Sequence, residues 1–246
     1  MNRYERQIAF PPFGVASEKK LRKASVVICG CGGLGCTLAM WLARSGVGKI
    51  RLIDHDSVSL SNIHRQILFA EEDENRQKVL AAVEHLRKVA SSTQYEPVCE
   101  KIGADNRESL VSGFDLMLDA TDNYATRFHL NRAAIRNSLP WIHAGVAGAQ
   151  GQVFSIVPGE TPCLECLFPN LARIAAGECS EPDKPAGILG PAVGMIASFQ
   201  ALEAMKFLSG NRDCVHTALV TFDFWRNRIK EIDLAPLKKA DCICQQ

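Results

Sequence analysis

The sequence predicts one α/β domain: a doubly wound, Rossmann-like and mainly parallel sheet with an antiparallel C-terminal extension. Apolar runs of strand length alternate with stretches of helical periodicity between residues 24 and 144, which is typical of βαβ units with buried parallel strands. A glycine-rich loop joins the first run to the first helix, and two strand-like segments lie together near the C-terminus. With 246 residues, 47% of them hydrophobic, the chain can bury such a core.

The elements are expected in the following order. Residues 1–20 are charged and then proline-rich, and we interpret them as an arm rather than a core element. A strand over 24–29 is followed by a helix that stops at Gly46 and Gly48. Further strands are expected at 49–54, 95–102, 114–119, 140–144 and 152–157, and helices at 75–90 and 124–137. A long loop with one helical turn is expected up to about 187, then a helix over 191–208 and paired strands over 217–224 and 228–234.

Charge and composition exclude several classes of protein. Lys and Arg number 28 and Asp and Glu 27, so the net charge is +1 and nucleic acid is not an expected partner. No apolar stretch approaches ~18 residues, which excludes a membrane span, and the N-terminus lacks the apolar core of a signal peptide. We therefore expect a soluble, cytoplasmic protein. In that reducing compartment the ten cysteines favour metal ligands or a reactive thiol over disulfides, with Cys29 and Cys36 as small buried residues.

A phosphate-binding loop is predicted at Gly30-Cys31-Gly32-Gly33-Leu34-Gly35, which matches G-x-G-x-x-G between a strand and a helix. Gly30 allows the tight turn, Gly32 lets the backbone approach phosphate, and Gly35 lets the helix pack on the strand. The helix N-terminus then attracts an anion. Asp54 ends the next strand, where a carboxylate can bind a ribose hydroxyl. The pattern predicts nucleotide binding, with tight packing alone as the alternative, and does not identify the nucleotide.

Charged and amide side chains after the next strands favour a nucleoside triphosphate. Arg65 and Lys78 can neutralise β- and γ-phosphates, for which a dinucleotide dehydrogenase has little use. The same stretch contains Asp56, Asn62 and Gln66. Asp122 and Asn123 follow the strand at 114–119, at the edge that lines the ligand crevice, and Asp122 is expected to hold Mg²⁺. The alternatives are solvated surface charges and a helix cap formed by Asp122.

With these motifs the chain resembles the E1-like activating enzymes of the MoeB/ThiF/HesA family over nearly its whole length. The motifs that carry the resemblance are Arg3-Tyr4-Glu5-Arg6-Gln7, the glycine loop, Ser59-Leu60-Ser61-Asn62 with Arg65-Gln66, Asp119-Ala120-Thr121-Asp122-Asn123, Cys163-Leu164-Glu165-Cys166 and Gly187-Ile188-Leu189-Gly190-Pro191. The resemblance implies a single adenylation domain over 1–246, with an N-terminal arm (1–20), a crossover loop (about 167–187) and a zinc-clipped tail (235–246).

The resemblance also implies an activity. Such enzymes act as homodimers and use MgATP to adenylate the C-terminal glycine carboxylate of a small ubiquitin-like sulfur carrier that ends in Gly-Gly. The residues assigned by resemblance are Asp54 for the ribose, Asn62, Arg65 and Lys78 for phosphates, Asp122 for Mg²⁺ and the transition state, and Arg6 as an arginine finger in the neighbouring subunit's site. Because no sulfurtransferase domain follows residue 246, a separate sulfur donor is expected, either a cysteine desulfurase or a sulfurtransferase.

Five cysteines receive a role from the same resemblance. The family's structural zinc arrangement is matched by Cys163, Cys166, Cys242 and Cys244, so the expected cofactors are ATP, Mg²⁺ and Zn²⁺. The usual second pair is C-x-x-C, whereas this chain has C-x-C, whose thiols could share one face of an extended strand. The alternative is a tail with disordered thiols. Cys179, in the expected crossover loop, is a candidate for covalent sulfur chemistry, with an incidental loop thiol as the alternative.

The sequence is compatible with three other hypotheses of function. An ATP-dependent dehydratase-cyclase acting on a modified tRNA base uses a related fold and the same glycine loop, but the chain lacks a basic stripe. A non-catalytic scaffold that binds carriers would not need the candidate charged residues, all of which are present. An NAD-dependent dehydrogenase is the third. The sequence does not identify the carrier or the pathway.

Overall fold

A computed structural model of the chain describes residues 3–182 and 187–245. The strands are Ser25–Cys29 (β1), Lys49–Ile53 (β2), Gln94–Val98 (β3), Leu116–Asp119 (β4), Trp141–Ala147 (β5), Gln150–Ile156 (β6), Leu219–Asp223 (β7) and Arg228–Ile232 (β8). The α-helices in this part of the chain are Glu5–Ile8 (α1), Gly14–Leu21 (α2), Gly33–Ser45 (α3), Leu60–Ile63 (α4), Lys78–Val89 (α5), Arg107–Val111 (α6), Tyr124–Arg136 (α7), Leu164–Leu167 (α8), Leu171–Ala175 (α9) and Gly190–Ser209 (α10).

All eight strands form one sheet, in the order β3-β2-β1-β4-β5-β6-β7-β8. Strands β1 to β5 pair in parallel, and β5 to β8 pair antiparallel. The predicted mainly parallel sheet with an antiparallel C-terminal extension is confirmed. The chain builds outward from β1 to β3 and then returns to place β4 on the other side of β1. This reversal of strand order is the position at which open α/β sheets bind ligands.

Two apolar layers cover the sheet. Val26 and Ile28 belong to the layer formed with α3, α5 and α10, whereas Val27 and Cys29 belong to the layer on the opposite face, with α6 and α7. Successive side chains of a strand point to opposite faces, and all four of these are fully buried. This double burial explains why β1 is an unbroken apolar run in the sequence. The expected burial of Cys29 and Cys36 is confirmed, since both have no exposed surface.

The N-terminal segment differs from the expected arm. Residues 14–21 form α2, which packs on α10, and Leu21 has no exposed surface. Tyr4 is also buried, with its ring against Gly46, where an added Cβ would lie 2.7 Å from the ring. The expectation that this segment contributes no core element is therefore wrong. The physical reason is that α10 is apolar around most of its circumference and needs a cover on the side away from the sheet.

The segment between β6 and α10 contains more helix than expected. One helical turn was the sequence expectation, whereas α8 and α9 both form within it, and residues 183–186 of the expected crossover loop lie outside the described residues. Its end is attached to the β5–β6 turn, because Gly148 N donates to Gly187 O at 3.1 Å and Leu189 N donates to Gly148 O at 3.1 Å. In the described ranges, no helix has the length and apolar character required to cross a bilayer.

Candidate functional site

A cleft of about 930 Å³ opens where the strand order reverses, beyond the carboxyl ends of β1, β2 and β4. It brings together eleven of the twelve residues that the sequence suggests for nucleotide binding. These are Gly30, Gly32, Gly33, Asp54, Asp56, Asn62, Arg65, Gln66, Lys78, Asp122 and Asn123. They come from four separate segments, which meet because parallel strands end at one edge of the sheet.

The glycine loop forms one wall of this cleft. Gly30 has φ +98°, and a Cβ on it would lie 2.5 Å from the carbonyl oxygen of Ala120, so glycine is required there. Gly35, the one suggested residue outside the cleft lining, acts through packing, since its Cβ would lie 2.0 Å from Gly30 O. The backbone can therefore bring the N-terminus of α3, with its unpaired N–H groups and partial positive charge, to the cleft.

Asp54 is held rigidly at the end of β2. Its Oδ2 accepts a hydrogen bond from Cys31 N at 2.7 Å, and its Oδ1 accepts one from Asp56 N at 2.8 Å. The carboxylate is thereby tied to the glycine loop on one side and to the following segment on the other. A carboxylate so placed can accept further hydrogen bonds from hydroxyl groups of a sugar.

Lys78 and Asp56 form an ion pair inside the cleft. Lys78 Nζ lies 2.8 Å from Asp56 Oδ2, and the lysine side chain is only 6% exposed. The hydrogen bond from Lys78 holds the pKa of Asp56 below its usual range. Burial alone would lower the pKa of Lys78, but the hydrogen bond to Asp56 and the charge of Asp54 raise it above its usual value. Lys78 is therefore a fixed positive charge at neutral pH.

Arg65 is oriented by the residues just before it. Its Nη2 donates to Asn62 Oδ1 at 2.8 Å, and its Nη1 donates to Ser61 O at 3.3 Å and lies 2.7 Å from His64 Nε2. Gln66, next in the chain, is 3% exposed, and no described residue bonds to its Oε1. A buried amide oxygen without a partner is costly, and Gln66 is one of the residues that line the cleft.

Asp119, at the end of β4, organises the turn that carries Asp122. Its Oδ1 accepts from Thr121 N at 2.9 Å and from Thr121 Oγ1 at 2.6 Å, while Oδ2 lies 2.7 Å from His143 Nδ1. Burial alone would raise the pKa of Asp119, but the charge of Arg127 and the hydrogen bond from His143 lower it. The buried carboxylate thus stays ionised and fixes the start of the turn.

The end of the same turn places Asp122 in the cleft. Asp122 is exposed and lines the cleft, and Asn123 Nδ2 donates to Asp122 Oδ1 at 3.3 Å. The helix cap is Asn123, whose Oδ1 accepts from Thr126 N at 2.8 Å. The alternative that Asp122 caps the helix is therefore wrong, and its carboxylate faces the ligand space.

Sequence reasoning missed the other side of the cleft. Arg127, on α7, lines it and donates through Nη2 to Thr121 O at 2.8 Å. Further polar side chains come from β6, β7 and β8, namely Gln150, Gln152, Thr221, Asp223, Arg228 and Lys230. Their spacing along the chain gives no signal of a site, because each is an ordinary polar residue of a strand or helix.

Arg6 and Cys179, the remaining catalytic candidates, do not line this cleft. Arg6 lies on α1 with its side chain exposed. Cys179 is half-buried beside Phe168, Leu171 and Pro182 at a separate cavity of about 300 Å³. Within one chain, the described residues therefore bring neither side chain to the glycine loop.

The four cysteines suggested as zinc ligands converge. Sγ atoms of Cys163 and Cys166 lie 3.9 Å apart, those of Cys163 and Cys242 3.5 Å, and those of Cys166 and Cys244 3.7 Å. Tetrahedral zinc with Zn–S bonds of about 2.3 Å requires sulfur separations of roughly 3.8 Å. The thiols therefore fit zinc, although the second pair lies at a 3₁₀ turn over Ile243–Gln245 and not on the extended strand that was expected.

Comparisons with known proteins agree with this geometry. The ThiF family model matches residues 4–244. The chain belongs to the ThiF family. It is 38% identical over 242 residues to the sulfur carrier protein ThiS adenylyltransferase of Bacillus subtilis. These residues are 98% of this chain and 70% of the relative. It is 35% identical over 241 residues to the Xenopus laevis adenylyltransferase and sulfurtransferase MOCS3, and these residues are 98% of this chain and 52% of MOCS3. This ThiF-family chain thus spans about half the length of MOCS3.

Solved structures show the same fold. E. coli MccB with MccA-N7isoASN matches with a TM-score of 0.84 and 25% identity, over 100% of this chain and 74% of MccB. E. coli MccB with ATP matches with a TM-score of 0.83 and 27% identity, over 96% of this chain and 72% of MccB. The α/β, Rossmann-like class of this ThiF-family chain is thereby confirmed.

Proposed function

We propose that the chain is an ATP-dependent adenylyltransferase that activates the C-terminal glycine carboxylate of a small ubiquitin-like sulfur carrier. The observation that carries the proposal is one cleft in which the glycine loop and Asp54 lie beside Arg65, Lys78 and Asp122. The relatives support it, since the B. subtilis enzyme is named for the adenylylation of ThiS and MccB has been solved with ATP.

Each side chain has a part in holding ATP. Asp54, tied to the glycine loop through Cys31 N, accepts the ribose hydroxyls. Lys78 and Arg65 supply the positive charge for the phosphates, and Asn62 orients Arg65 through the 2.8 Å hydrogen bond to its guanidinium. The polar groups of Asp56, Gln66 and Asn123 complete the nucleotide side of the cleft.

The reaction needs charge neutralisation and alignment and no covalent nucleophile. A carboxylate oxygen of the carrier bonds to the α-phosphorus, and the bond from that phosphorus to the bridging oxygen of pyrophosphate breaks. Asp122 would hold Mg²⁺, and the ion would offset the negative charge of the leaving pyrophosphate. Cys179 has no part in this step, and the two hypotheses for its thiol are later covalent sulfur chemistry and an incidental loop position.

The proposal extends to assembly and partners. Arg6 lies on the exposed face of α1, outside its own chain's cleft, which supports a role in the cleft of a second copy. A homodimer would then be the active form. Zinc at the four converged thiols would join the C-terminal tail to α8, and a separate cysteine desulfurase or sulfurtransferase would supply sulfur.

Exchange of labelled pyrophosphate into ATP tests the proposal. Wild-type protein with ThiS of B. subtilis, or another carrier ending in Gly-Gly, is expected to exchange pyrophosphate only when ATP and carrier are both present. Asp122→Asn should abolish exchange with the fold intact, because it removes the charge that holds Mg²⁺. Asp213→Asn, at an exposed position outside the cleft, is the matched control and should behave as wild type. Exchange without any carrier, or full activity of Asp122→Asn, would contradict the proposal.

A further inference from the structure

Gln152 and His143 form a contact that the nucleotide site does not use. His143 on β5 is 1% exposed, and its two ring nitrogens face different partners. Nδ1 lies 2.7 Å from Asp119 Oδ2, and Nε2 lies 3.3 Å from Gln152 Nε2. Gln152, on β6, is only half-buried and reaches the cleft.

The chemistry of these groups determines which end of the Gln152 amide faces the ligand. The ionised Asp119 can only accept hydrogen bonds, so His143 carries its proton on Nδ1. Burial and the charge of Arg127 lower the pKa of His143, although the hydrogen bond to Asp119 opposes them, so the ring stays neutral and Nε2 is an acceptor. Gln152 must therefore donate through its amide nitrogen to His143. Its carbonyl oxygen, Oε1, is left to accept a hydrogen bond from a ligand.

The position of Gln152 favours the acyl substrate over ATP. The sheet places β6 three strands from β1, which is roughly 14 Å from the strand that leads into the glycine loop. Asp54, Arg65 and Lys78 all come from the β2 side of the cleft, whereas Gln152 lies beyond β4 and its turn with Asp122. A ligand that contacts Gln152 would therefore lie across the cleft from the side chains proposed to hold ATP.

The space beside Gln152 is suited to a chain without side chains. Gly145 is the direct partner of Gln152 across the β5–β6 pair. A Cβ on Gly145 would lie 3.6 Å from Gln152 Cγ and 3.7 Å from Arg127 Nη2, so it would fit without strain and would occupy the cleft. Gly151, in contrast, faces the opposite side of the sheet, where a Cβ would lie 2.3 Å from Ile196 of α10. Of these two glycines, Gly145 is the one that leaves room on the cleft side.

We propose that Gln152 Oε1 accepts the N–H of the carrier's terminal glycine residue and that Asp119 and His143 are positioning residues that orient this amide. The inference rests on the proposed function and deepens it, because it assigns a substrate-contacting residue. The hydrogen bond would align the terminal carboxylate with the α-phosphate, and the open surface at Gly145 would accept a Gly-Gly backbone.

A cycle of enzyme and substrate changes tests the contact. ThiS of B. subtilis is prepared by ligation with its natural terminus or with glycolate in place of the terminal glycine, which replaces the N–H by an ester oxygen. The wild-type enzyme should lose about tenfold in kcat/KM for exchange with the ester carrier, as expected for one hydrogen bond. Gln152→Leu should show that loss with the natural carrier and no further loss with the ester. Gln94→Leu, the same change at an exposed position of β3, should behave as wild type.

Three further experiments bear on the proposal. Gln152→Leu should bind ATP with wild-type affinity by calorimetry, and Gly145→Ala should keep its melting temperature but raise KM for the carrier severalfold. The ¹⁵N spectrum of wild-type His143 should show the proton on Nδ1. An equal ester penalty in wild type and Gln152→Leu, a loss of ATP affinity, or a proton on His143 Nε2 would overturn the inference alone. If wild-type protein exchanged no pyrophosphate with any Gly-Gly carrier, the proposed function would fail and the inference with it.

Discussion

At the residue scale, one buried carboxylate connects the two halves of the cleft. Asp119 has no exposed surface, and four groups surround it: the backbone and hydroxyl of Thr121, the ring of His143, and Arg127, whose Nε lies 3.3 Å from Oδ2. Removing one partner of such a cluster leaves a buried charge without compensation, which is strongly destabilising. The cluster is therefore a structural support for the Asp122 turn as well as for the orientation of Gln152.

The buried His143 predicts a pH dependence of stability. Its pKa in the folded protein is lowered by burial and by the charge of Arg127, whereas an unfolded histidine takes up its proton near pH 6.5. Between these two pKa values the unfolded chain binds more protons, so the free energy of unfolding falls as the pH drops below about 6.5. His143→Gln should reduce this fall, measured by urea unfolding at pH 7 and pH 5.

The control for this prediction is His55→Gln, because His55 is exposed at 54% of its side chain. That variant should keep the wild-type difference between the two pH values. The free energy of unfolding of His143→Gln should still fall somewhat between pH 7 and pH 5, because burial and the charge of Arg107 also lower the pKa of His129. If the free energy of unfolding depended on pH identically in His143→Gln and wild type, the fold would not hold His143 neutral.

At the scale of single elements, α2 is a part of the core. Helix α2 packs on α10, and its Leu21 is fully buried, whereas Val15 on the same helix is 53% exposed. Leu21→Ala should therefore lower the free energy of unfolding by about 2–5 kcal/mol through lost burial and a cavity. Val15→Ala should change it by less than about 0.5 kcal/mol. Chemical denaturation measures both changes in the free energy of unfolding. If both changes were equally small, residues 14–21 would be an arm and not a part of the core.

The C-terminal tail is the second element with a testable role. Asn131 of α7 donates to Cys163 Sγ at 3.7 Å and accepts from Leu164 N at 3.0 Å, so the thiol cluster is also connected to α7. Cys242→Ser should release zinc and lower the melting temperature, because the tail loses its attachment to the domain. Cys214→Ser, at an exposed cysteine outside the cluster, should do neither.

Metal content by mass spectrometry and melting by calorimetry measure both cysteine variants. ATP affinity should survive in Cys242→Ser, since the nucleotide groups lie at the ends of β1, β2 and β4 and not at the tail. A wild-type protein purified without stoichiometric zinc, from medium that contains it, would contradict the assignment of the cluster.

At the scale of the whole molecule, the prediction concerns two copies of the chain. If Arg6 acts in the neighbouring copy's cleft, Arg6→Ala and Asp122→Asn are each inactive alone, but a heterodimer of the two contains one complete site. In a random mixture half of the dimers are mixed and half of their sites work, so about a quarter of wild-type exchange should return. No recovery after confirmed subunit exchange would place Arg6 in its own subunit's site.

Several features of the fold and site could be predicted from local sequence. Strands β1 and β4 can be predicted from their apolar runs, because both faces of each strand are buried. The glycine loop can be predicted from its glycine pattern, because a Cβ at Gly30 or Gly35 would clash with backbone atoms. Strand β7 can be predicted from its alternation of buried and less buried residues, and the pairs Cys163-x-x-Cys166 and Cys242-x-Cys244 from their spacing. Each of these signals is confined to a few consecutive residues.

The sequence by itself determined the doubly wound sheet and the nucleotide half of the cleft, because these depend on burial period, turn chemistry and the rule that parallel strands end at one edge. Only the tertiary structure decided that α2 covers α10, that Arg127 and His143 meet at Asp119, and that Gln152 contacts the other ring nitrogen of His143. These contacts join α7, β4, β5 and β6 side by side, and their partners are selected by packing and hydrogen-bond satisfaction in three dimensions. The periodicity of the sequence does not predict which of these side chains contact one another, because each of them could equally be an ordinary polar residue.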